Sequence, residues 1–128
     1  MKISVIIVSY NCKAFLDYCL QSVSKALKQI DSEILVVDNC STDGSVEYLK
    51  SKKYDLRIIE NKQNLGFSKA NNKAAKLAKG EYLFFLNPDT IIPEDLIESF
   101  FKNKKPNTGI FSFRMIDGEG IFLKESKR

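Results

Sequence analysis

Short β-branched or aromatic runs alternate along this sequence with longer segments whose apolar residues recur every three or four positions. The runs are ISVIIV at 3–8, EILVV at 33–37, LRII at 56–59 and YLFFL at 82–86. Helix-like patterns lie between them, over 15–30, 46–49 and 67–78. Strands joined through helices pair in parallel with right-handed crossovers. We therefore predict an α/β fold, a three-layer α/β/α sandwich built around a mostly parallel sheet.

The last third of the chain carries signals for further elements. Pro93 followed by two carboxylates predicts the start of a helix, because proline suits the first helical turn and acidic side chains suit its dipole. Residues 109–113 predict a fifth strand, and the Asp-Gly pair within 115–122 predicts a C-terminal β-hairpin. The uninterrupted apolar run at 82–86 is typical of a strand buried on both faces.

Length and charge limit the class of protein. The chain has 128 residues, of which 44% are hydrophobic, so we predict one domain over 1–128 with a real core. It contains no run of about 18 apolar residues and no signal-peptide cleavage pattern, which favours a cytoplasmic location. The net charge of +4 is spread along the chain. That favours a solvated surface over nucleic-acid binding, and allows peripheral association with the inner face of a membrane.

The sequence excludes several catalytic devices. It contains no histidine, so serine–histidine and cysteine–histidine nucleophiles are impossible and we expect a carboxylate as the general base. The three cysteines, Cys12, Cys19 and Cys40, form no C-x-x-C pair. This argues against a zinc site or a disulfide framework and favours free thiols. Cys19 falls on the apolar stripe of the first helix, as a packed core thiol would.

Polar residues follow each of the four predicted strands. They are Ser9-Tyr10-Asn11, Asp38-Asn39, Glu60-Asn61 with the loop Asn64-Leu65-Gly66, and Asn87-Pro88-Asp89. Taken singly, each could be an ordinary turn or helix cap. Because the carboxyl ends of parallel strands meet at one edge, where α/β sheets bind ligands, the four together favour a ligand site.

The absence of several phosphate-binding motifs limits how this site could hold a ligand. No Gly-x-Gly-x-x-Gly follows the first strand and no P-loop is present, so a glycine-rich phosphate cradle is excluded. Paired acids of a receiver domain and the glycine-rich turn of a nucleotidyltransferase are also absent. The remaining way to hold a diphosphate is a divalent cation on Asp89.

Four motifs, VIIVSYN at 5–11, VVDNCSTDG at 36–44, NLGF at 64–67 and LNPDT at 86–90, together resemble family 2 of the inverting glycosyltransferases. The resemblance covers 3–90 and implies the Rossmann-like GT-A fold of nucleotide-diphospho-sugar transferases. LNPD resembles the branch that includes rhamnosyltransferases and other cell-surface polysaccharide enzymes. The resemblance to this family implies transfer of a sugar, with inversion, from a UDP- or dTDP-linked donor to a polysaccharide, lipid-linked or protein acceptor.

The same resemblance implies roles for residues at the strand ends. The implied nucleotide-binding set is Ser9, Tyr10, Asn11, Asp38, Asn39, Asn64, Gly66 and Asn87. Tyr10 would pack near the base, and Asp38 would accept a hydrogen bond from a uracil or thymine N–H. Gly66 would let the backbone pass close to the donor. Asp89 would bind Mn²⁺ or Mg²⁺, while Asn87 would reach the ribose or, through water, the metal.

The sequence departs from the family pattern in two ways. The first acid of the family's Asp-x-Asp motif is Asn87 here, which lowers metal affinity or makes the metal optional. The family's catalytic carboxylate lies well beyond that motif, whereas Asp117, Glu119 and Glu125 suit a hairpin and tail. We therefore expect the base beyond Arg128, in a longer enzyme of which this chain is the donor-binding portion.

Two further expectations concern partners and alternatives. Alone, the chain would bind donor and transfer sugar poorly, and an uncovered apolar surface would favour a homodimer. The alternative function is a non-catalytic nucleotide-binding or interaction module with the same fold. An acidic pair some tens of residues past Arg128 would favour the enzyme.

Overall fold

Helices and strands alternate through most of the chain, as predicted. The computed structural model describes residues 1–123. Its elements are β1 (Ile3–Ser9), α1 (Lys13–Ala26), β2 (Ser32–Asp38), α2 (Ser45–Ser51), β3 (Arg57–Glu60), α3 (Phe67–Ala75), β4 (Tyr82–Leu86) and α4 (Leu96–Asn103). The tail 124–128, including the Glu125 considered above as a base, lies outside the described residues.

The four strands form one sheet in the order β3-β2-β1-β4, and every neighbouring pair is parallel. The register sets Ser9 beside Asp38, and Asp38 beside Glu60. Leu86 at the end of β4 lies beside Ile7 of β1. The carboxyl ends of all four strands therefore reach the same edge of the sheet.

Helices cover both faces of the sheet, which confirms the three-layer prediction. On one face, alternate β1 residues such as Val5 and Ile7 belong to a cluster with Leu16 and Leu20 of α1 and Ile97 of α4. On the other face, the alternate strand residues that point the opposite way form a second cluster with α3: Ile6, Leu35, Val37, Ile59, Ala70 and Ala74. Alanines on α3 let its backbone lie close to the strands.

The prediction that 82–86 is buried on both faces is wrong. Leu83 and Phe85 are 41% and 47% exposed. The register places Phe85 beside Ile6, on the face that α3 covers over β1 and β2. Because β4 is the edge strand, it lies beyond the reach of that helix. An aromatic run alone does not distinguish an edge strand from a central one.

The segment after β4 differs most from expectation. The helix predicted at Pro93 begins at Leu96, after a turn in which the Leu96 N–H donates to the Pro93 carbonyl at 3.2 Å. The predicted fifth strand at 109–113 is wrong: this segment is irregular. Its rings pack instead, with Phe111 at 5.1 Å from Phe100 and Phe113 at 5.5 Å from Phe84 between centroids. The segment thus gains ring contacts rather than ladder hydrogen bonds.

The predicted C-terminal hairpin is present only in reduced form. A turn is closed by the Gly120 N–H, which donates to the Asp117 carbonyl at 3.0 Å, and an isolated antiparallel bridge joins Ile116 to Phe122 in the described part of the chain. Within residues 1–123, no helix is long and apolar enough to cross a membrane.

Candidate functional site

Two loops at the strand-exit edge are fastened to each other. The Asn11 N–H donates to Ser41 Oγ at 3.0 Å, and Asn11 Oδ1 accepts the Thr42 N–H at 2.8 Å. The Lys13 N–H donates to Asp43 Oδ2 at 2.9 Å. Asn11 itself has a φ of 50°, in the left-handed region that asparagine tolerates. These bonds hold the β1–α1 and β2–α2 loops as one wall.

Asp43 also fixes the start of α2. Its Oδ1 accepts hydrogen bonds from both the N–H, at 3.0 Å, and the hydroxyl of Ser45. Desolvation would raise the pKa of Asp43, but the hydrogen bonds from Ser45 and from the Lys13 N–H outweigh it and hold this pKa below its ordinary value. The charged carboxylate is therefore the form that the two loops favour.

At this edge of the sheet, Asp38 is buried and one of its carboxylate oxygens has no hydrogen-bond donor within residues 1–123. It ends β2 and is 2% exposed. Its Oδ2 accepts the Ser41 N–H at 2.9 Å, whereas its Oδ1 is buried and meets no donor in the described part of the chain. A buried acceptor without a partner is costly. The geometry is therefore suited to an N–H group supplied by a ligand.

Asn39 lies at the centre of a network of amide side chains. Its Nδ2 donates to Asn64 Oδ1 at 2.9 Å, while its Oδ1 accepts from Asn61 Nδ2 at 3.1 Å and from the Leu65 N–H at 3.0 Å. Lys73 Nζ on α3 donates to Asn61 Oδ1. Asn61 was expected at the end of the third strand without a functional role, and no sequence signal pointed to Lys73.

Gly66 takes a conformation that side chains disfavour. Its φ is 76° and its ψ is 168°. Its N–H donates to Asn64 Oδ1 at 2.8 Å, and no atom lies within 4 Å of where a Cβ would stand. Since the space above its Cα is open, a ligand can approach this backbone closely.

The turn that follows β4 is held from below by α1. The Thr90 N–H donates to the Asn87 carbonyl at 3.2 Å, and Cys19 Sγ donates to the same carbonyl at 3.7 Å. Burial, and then the negative charge of Asp89, raise the pKa of the Cys19 thiol to about 12. Cys19 is 1% exposed, which confirms the predicted core thiol. It is a support for the turn rather than a nucleophile.

Asp89 fits one kind of metal site and not another. Within residues 1–123, no group of three or more His, Cys, Asp or Glu side chains is placed to hold a metal. This argues against a cage made by protein alone. Asp89 is exposed and makes no ion pair in the described structure. Because Mg²⁺ commonly binds through one or two carboxylates and substrate phosphates, Asp89 suits a cation that arrives with a diphosphate.

The predicted site residues therefore lie along one edge. Strand register and hydrogen bonds connect Ser9, Asn11, Asp38 and Asn39 with the loop of Asn64 and Gly66. Tyr10, 51% exposed, lies directly after β1. Asn87 and Asp89 follow β4, the other neighbour of β1. Their predicted contacts with nucleotide and metal stay predictions.

The parallel sheet and its polar edge define a nucleotide-sugar transferase fold of the GT-A class. The chain is similar to the crystal structure of Staphylococcus aureus TarS 1–349 in complex with UDP-GlcNAc, with a TM-score of 0.71 and 29% identity over 80% of this chain and 30% of that one. The mannosyltransferase PcManGT from Pyrobaculum calidifontis, in complex with GDP-Man and Mn²⁺, gives a TM-score of 0.73 over 79% and 31% at 25% identity.

The sequence model described as glycosyl transferase family 2 matches residues 4–125, and the chain belongs to that family. A poly(ribitol-phosphate) beta-glucosyltransferase of Bacillus spizizenii is 35% identical over 94% of this chain and 20% of its own length. A putative teichuronic acid biosynthesis glycosyltransferase of Bacillus subtilis, TuaG, is 35% identical over 87% and 45%. The chain thus spans less than half the length of these relatives.

Proposed function

We propose that this chain is the donor-binding part of a glycosyltransferase that transfers a sugar, with inversion, from a nucleotide diphosphate to a glycan, lipid-linked or protein acceptor. The unpaired, buried Oδ1 of Asp38 at the strand-exit edge carries the proposal. Family membership supports it, as do relatives named for cell-wall polymers. The proposal includes a cytoplasmic location, peripheral at the inner face of the membrane.

The proposed donor contains a uracil or thymine base. The ring N–H of either base would donate to Asp38 Oδ1, which needs such a partner, and the exposed Tyr10 ring would pack on the base. Adenine's corresponding ring position is an acceptor that would repel the carboxylate. The TarS complexes with UDP and UDP-GlcNAc support the uridine choice.

The proposed metal is Mn²⁺ or Mg²⁺, held by Asp89 with Asn87 beside it. When bound, such a cation neutralises charge that develops on the leaving diphosphate. The Mn²⁺ complex of the similar mannosyltransferase supports this choice. Because this chain supplies a single carboxylate at that turn, the nucleotide and the cation should bind cooperatively.

The base for the acceptor hydroxyl is proposed to lie beyond Arg128. Asp117 does not suit that role, because its Oδ1 accepts the N–H groups of Glu119 at 2.9 Å and Ile121 at 2.8 Å. It shapes a turn. The replacement of the family's first metal-motif acid by Asn87 favours, as a second candidate, a nucleotide-binding module without transfer activity.

The test is calorimetric titration of the chain with UDP, dTDP, GDP and ADP, each with and without Mn²⁺. Binding confined to the pyrimidine nucleotides and strengthened by Mn²⁺ is expected. A ligand at ten times its Kd should also raise the unfolding free energy by about 1.4 kcal/mol. Asp38→Ala should weaken UDP by about tenfold or more. Equal binding of purines, or no nucleotide binding, would overturn the proposal.

A further inference from the structure

We propose that Asn39, Asn61 and Lys73 are positioning residues that hold the 64–66 segment ready for the donor, and that the Asn39 amide does not itself bind nucleotide. The inference rests on the proposed function for its ligand. Its structural basis is the directed chain of hydrogen bonds that runs from Lys73 on α3 to the peptide of Gly66.

Lys73, at one end of this series of hydrogen bonds, requires one particular orientation of the neighbouring Asn61 amide. An ammonium group only donates, so the oxygen of Asn61, and not its nitrogen, must face Lys73. The Asn61 nitrogen then faces Asn39 Oδ1, at 3.1 Å. A flipped amide at Asn61 would set nitrogen against ammonium, which is excluded by charge. The orientation that Lys73 requires of Asn61 agrees with the orientations that the Leu65 and Gly66 N–H groups require of Asn39 and Asn64.

The Asn39 amide has no capacity left for a ligand. Its oxygen accepts two hydrogen bonds, from Asn61 Nδ2 and from the Leu65 N–H. Its nitrogen donates to Asn64 Oδ1 at 2.9 Å and to the Gly66 carbonyl at 3.4 Å. A carboxamide offers two acceptor and two donor positions, and all are occupied here. Asn39 is also 2% exposed, beneath the loop rather than on its surface.

The series of hydrogen bonds ends at the peptide of Gly66, whose positive φ only glycine adopts readily. Asn64 Oδ1 accepts from both Asn39 Nδ2 and the Gly66 N–H, at 2.9 and 2.8 Å. The Gly66 carbonyl accepts the Ala70 N–H of α3 at 3.2 Å. Gly66 is thus held on both sides at a φ of 76°, with open space above it. Ordering this segment before binding removes an entropic cost from the donor's affinity.

The position of Lys73 couples the segment to the core. Ala70 and Ala74 of α3 are fully buried against the sheet, so the helix that carries Lys73 cannot shift freely. The Lys73 side chain reaches from this fixed helix to Asn61 at the end of β3. Helix, strand end and loop therefore behave as one unit, and breaking the first bond should loosen the last.

The test uses Lys73→Met, which keeps the length of the side chain and removes the donor. Lys73→Arg restores a donor. Lys76→Met is the matched control, because Lys76 is an exposed lysine directly after α3 whose side chain makes no hydrogen bond or ion pair within residues 1–123. Amide hydrogen exchange of Leu65 and Gly66 is measured first, without ligand. We expect exchange at least about tenfold faster in Lys73→Met alone, at an unchanged Tm.

The second measurement is UDP affinity by calorimetry with Mn²⁺. Lys73→Met should weaken UDP by about tenfold, Lys73→Arg should recover most of the loss, and Lys76→Met should match the wild type. Unchanged exchange in Lys73→Met, or an equal change in Lys76→Met, would overturn the inference. If the wild-type chain bound no nucleotide, the proposed function would fail, while the exchange experiment would still decide whether Lys73 orders Gly66.

Discussion

At the scale of single residues, Asp89 is the carboxylate of the strand-exit edge whose side chain makes no hydrogen bond or ion pair within residues 1–123. It is exposed and lies in a turn that α1 supports. We predict that Asp89→Ala removes the strengthening of UDP binding by Mn²⁺, a loss of about tenfold, and leaves metal-free binding and Tm unchanged. Titrations with and without Mn²⁺ measure both effects.

Glu94→Ala is the matched control for Asp89→Ala. Glu94 is an exposed carboxylate a few residues downstream, without an ion pair in the part of the chain that the structure describes. The Glu94→Ala substitution therefore removes one carboxylate from the same region as Asp89→Ala does. If Asp89→Ala kept its full Mn²⁺ dependence, or if both variants lost it equally, the metal would not be on Asp89.

The positions of these residues could be predicted from the sequence, but several of their hydrogen-bond partners could not. Asp38, Gly66 and Asp89 were recognised because strand ends meet at one edge, a rule that needs only the order of the elements. The partners of Asn39 were not foreseeable in this way. Lys73 is far from Asn39 along the chain, and only the packing of α3 on the sheet brings it to Asn61.

At the scale of elements, the attachment of α2 to the site depends on the charge of Asp43. Asp43→Asn should lower the unfolding free energy at pH 7 by about 1 kcal/mol, because the hydrogen bonds to the Ser45 and Lys13 N–H groups lose their charge assistance. The folded pKa of Asp43 lies below its ordinary value of 3.8. This contribution is therefore complete above about pH 4 and is lost as the pH falls through the folded pKa.

Thermal unfolding from pH 7 to pH 2.5 checks this dependence. The wild-type Tm should exceed that of Asp43→Asn by a few degrees near neutrality, and the two curves should converge in acid. Asp55→Asn is the control, because Asp55 is an exposed carboxylate before β3 without a hydrogen bond or ion pair in the described structure. The Tm of this variant should equal that of the wild type at every pH. A constant gap between wild type and Asp43→Asn would show that its charge does not matter.

Helices and strands could be predicted where the local sequence pattern determines them. They could not where tertiary contacts with other elements determine the structure or its burial. The β-branched run of β1 and the three-to-four spacing of apolar residues in α1 are local patterns, and both elements are present where these patterns predict them. β4 was found as a strand, but its burial depends on which strand lies at the edge. The 109–113 segment has strand-forming residues, yet Phe111 and Phe113 gain more by packing on the rings around Phe100.

At the scale of the whole molecule, the free edge of β4 is the feature with the largest consequence. The Tyr82 N–H donates to the Lys2 carbonyl beside β1, so by alternation the peptide groups of Leu83 and Phe85 point outward. A groove of about 590 Å³ runs along this edge, with Phe111 in its wall. Unpaired edges of this kind favour pairing with another chain.

A second copy of the chain would satisfy that edge with the same residues. In an antiparallel pair related by a two-fold axis at Phe84, Leu83 of one copy lies opposite Phe85 of the other, and both present outward peptide groups. We predict that the isolated chain associates with rising concentration in sedimentation velocity. Phe85→Lys should abolish the association, because a lysine on an edge strand opposes pairing, while the unfolding free energy changes by no more than about 0.5 kcal/mol.

The control for this prediction is Tyr18→Lys, which removes an aromatic side chain that is 65% exposed on α1 and lies away from β4. It should associate like the wild type, which would separate edge pairing from general surface hydrophobicity. Association retained in Phe85→Lys would place the contact on another surface, and a wild-type chain that stays monomeric at every concentration would mean that β4 does not pair. Either result would overturn the prediction. The second would mean that residues 108–113, whose Phe113 ring packs on Phe84 of β4, protect the edge.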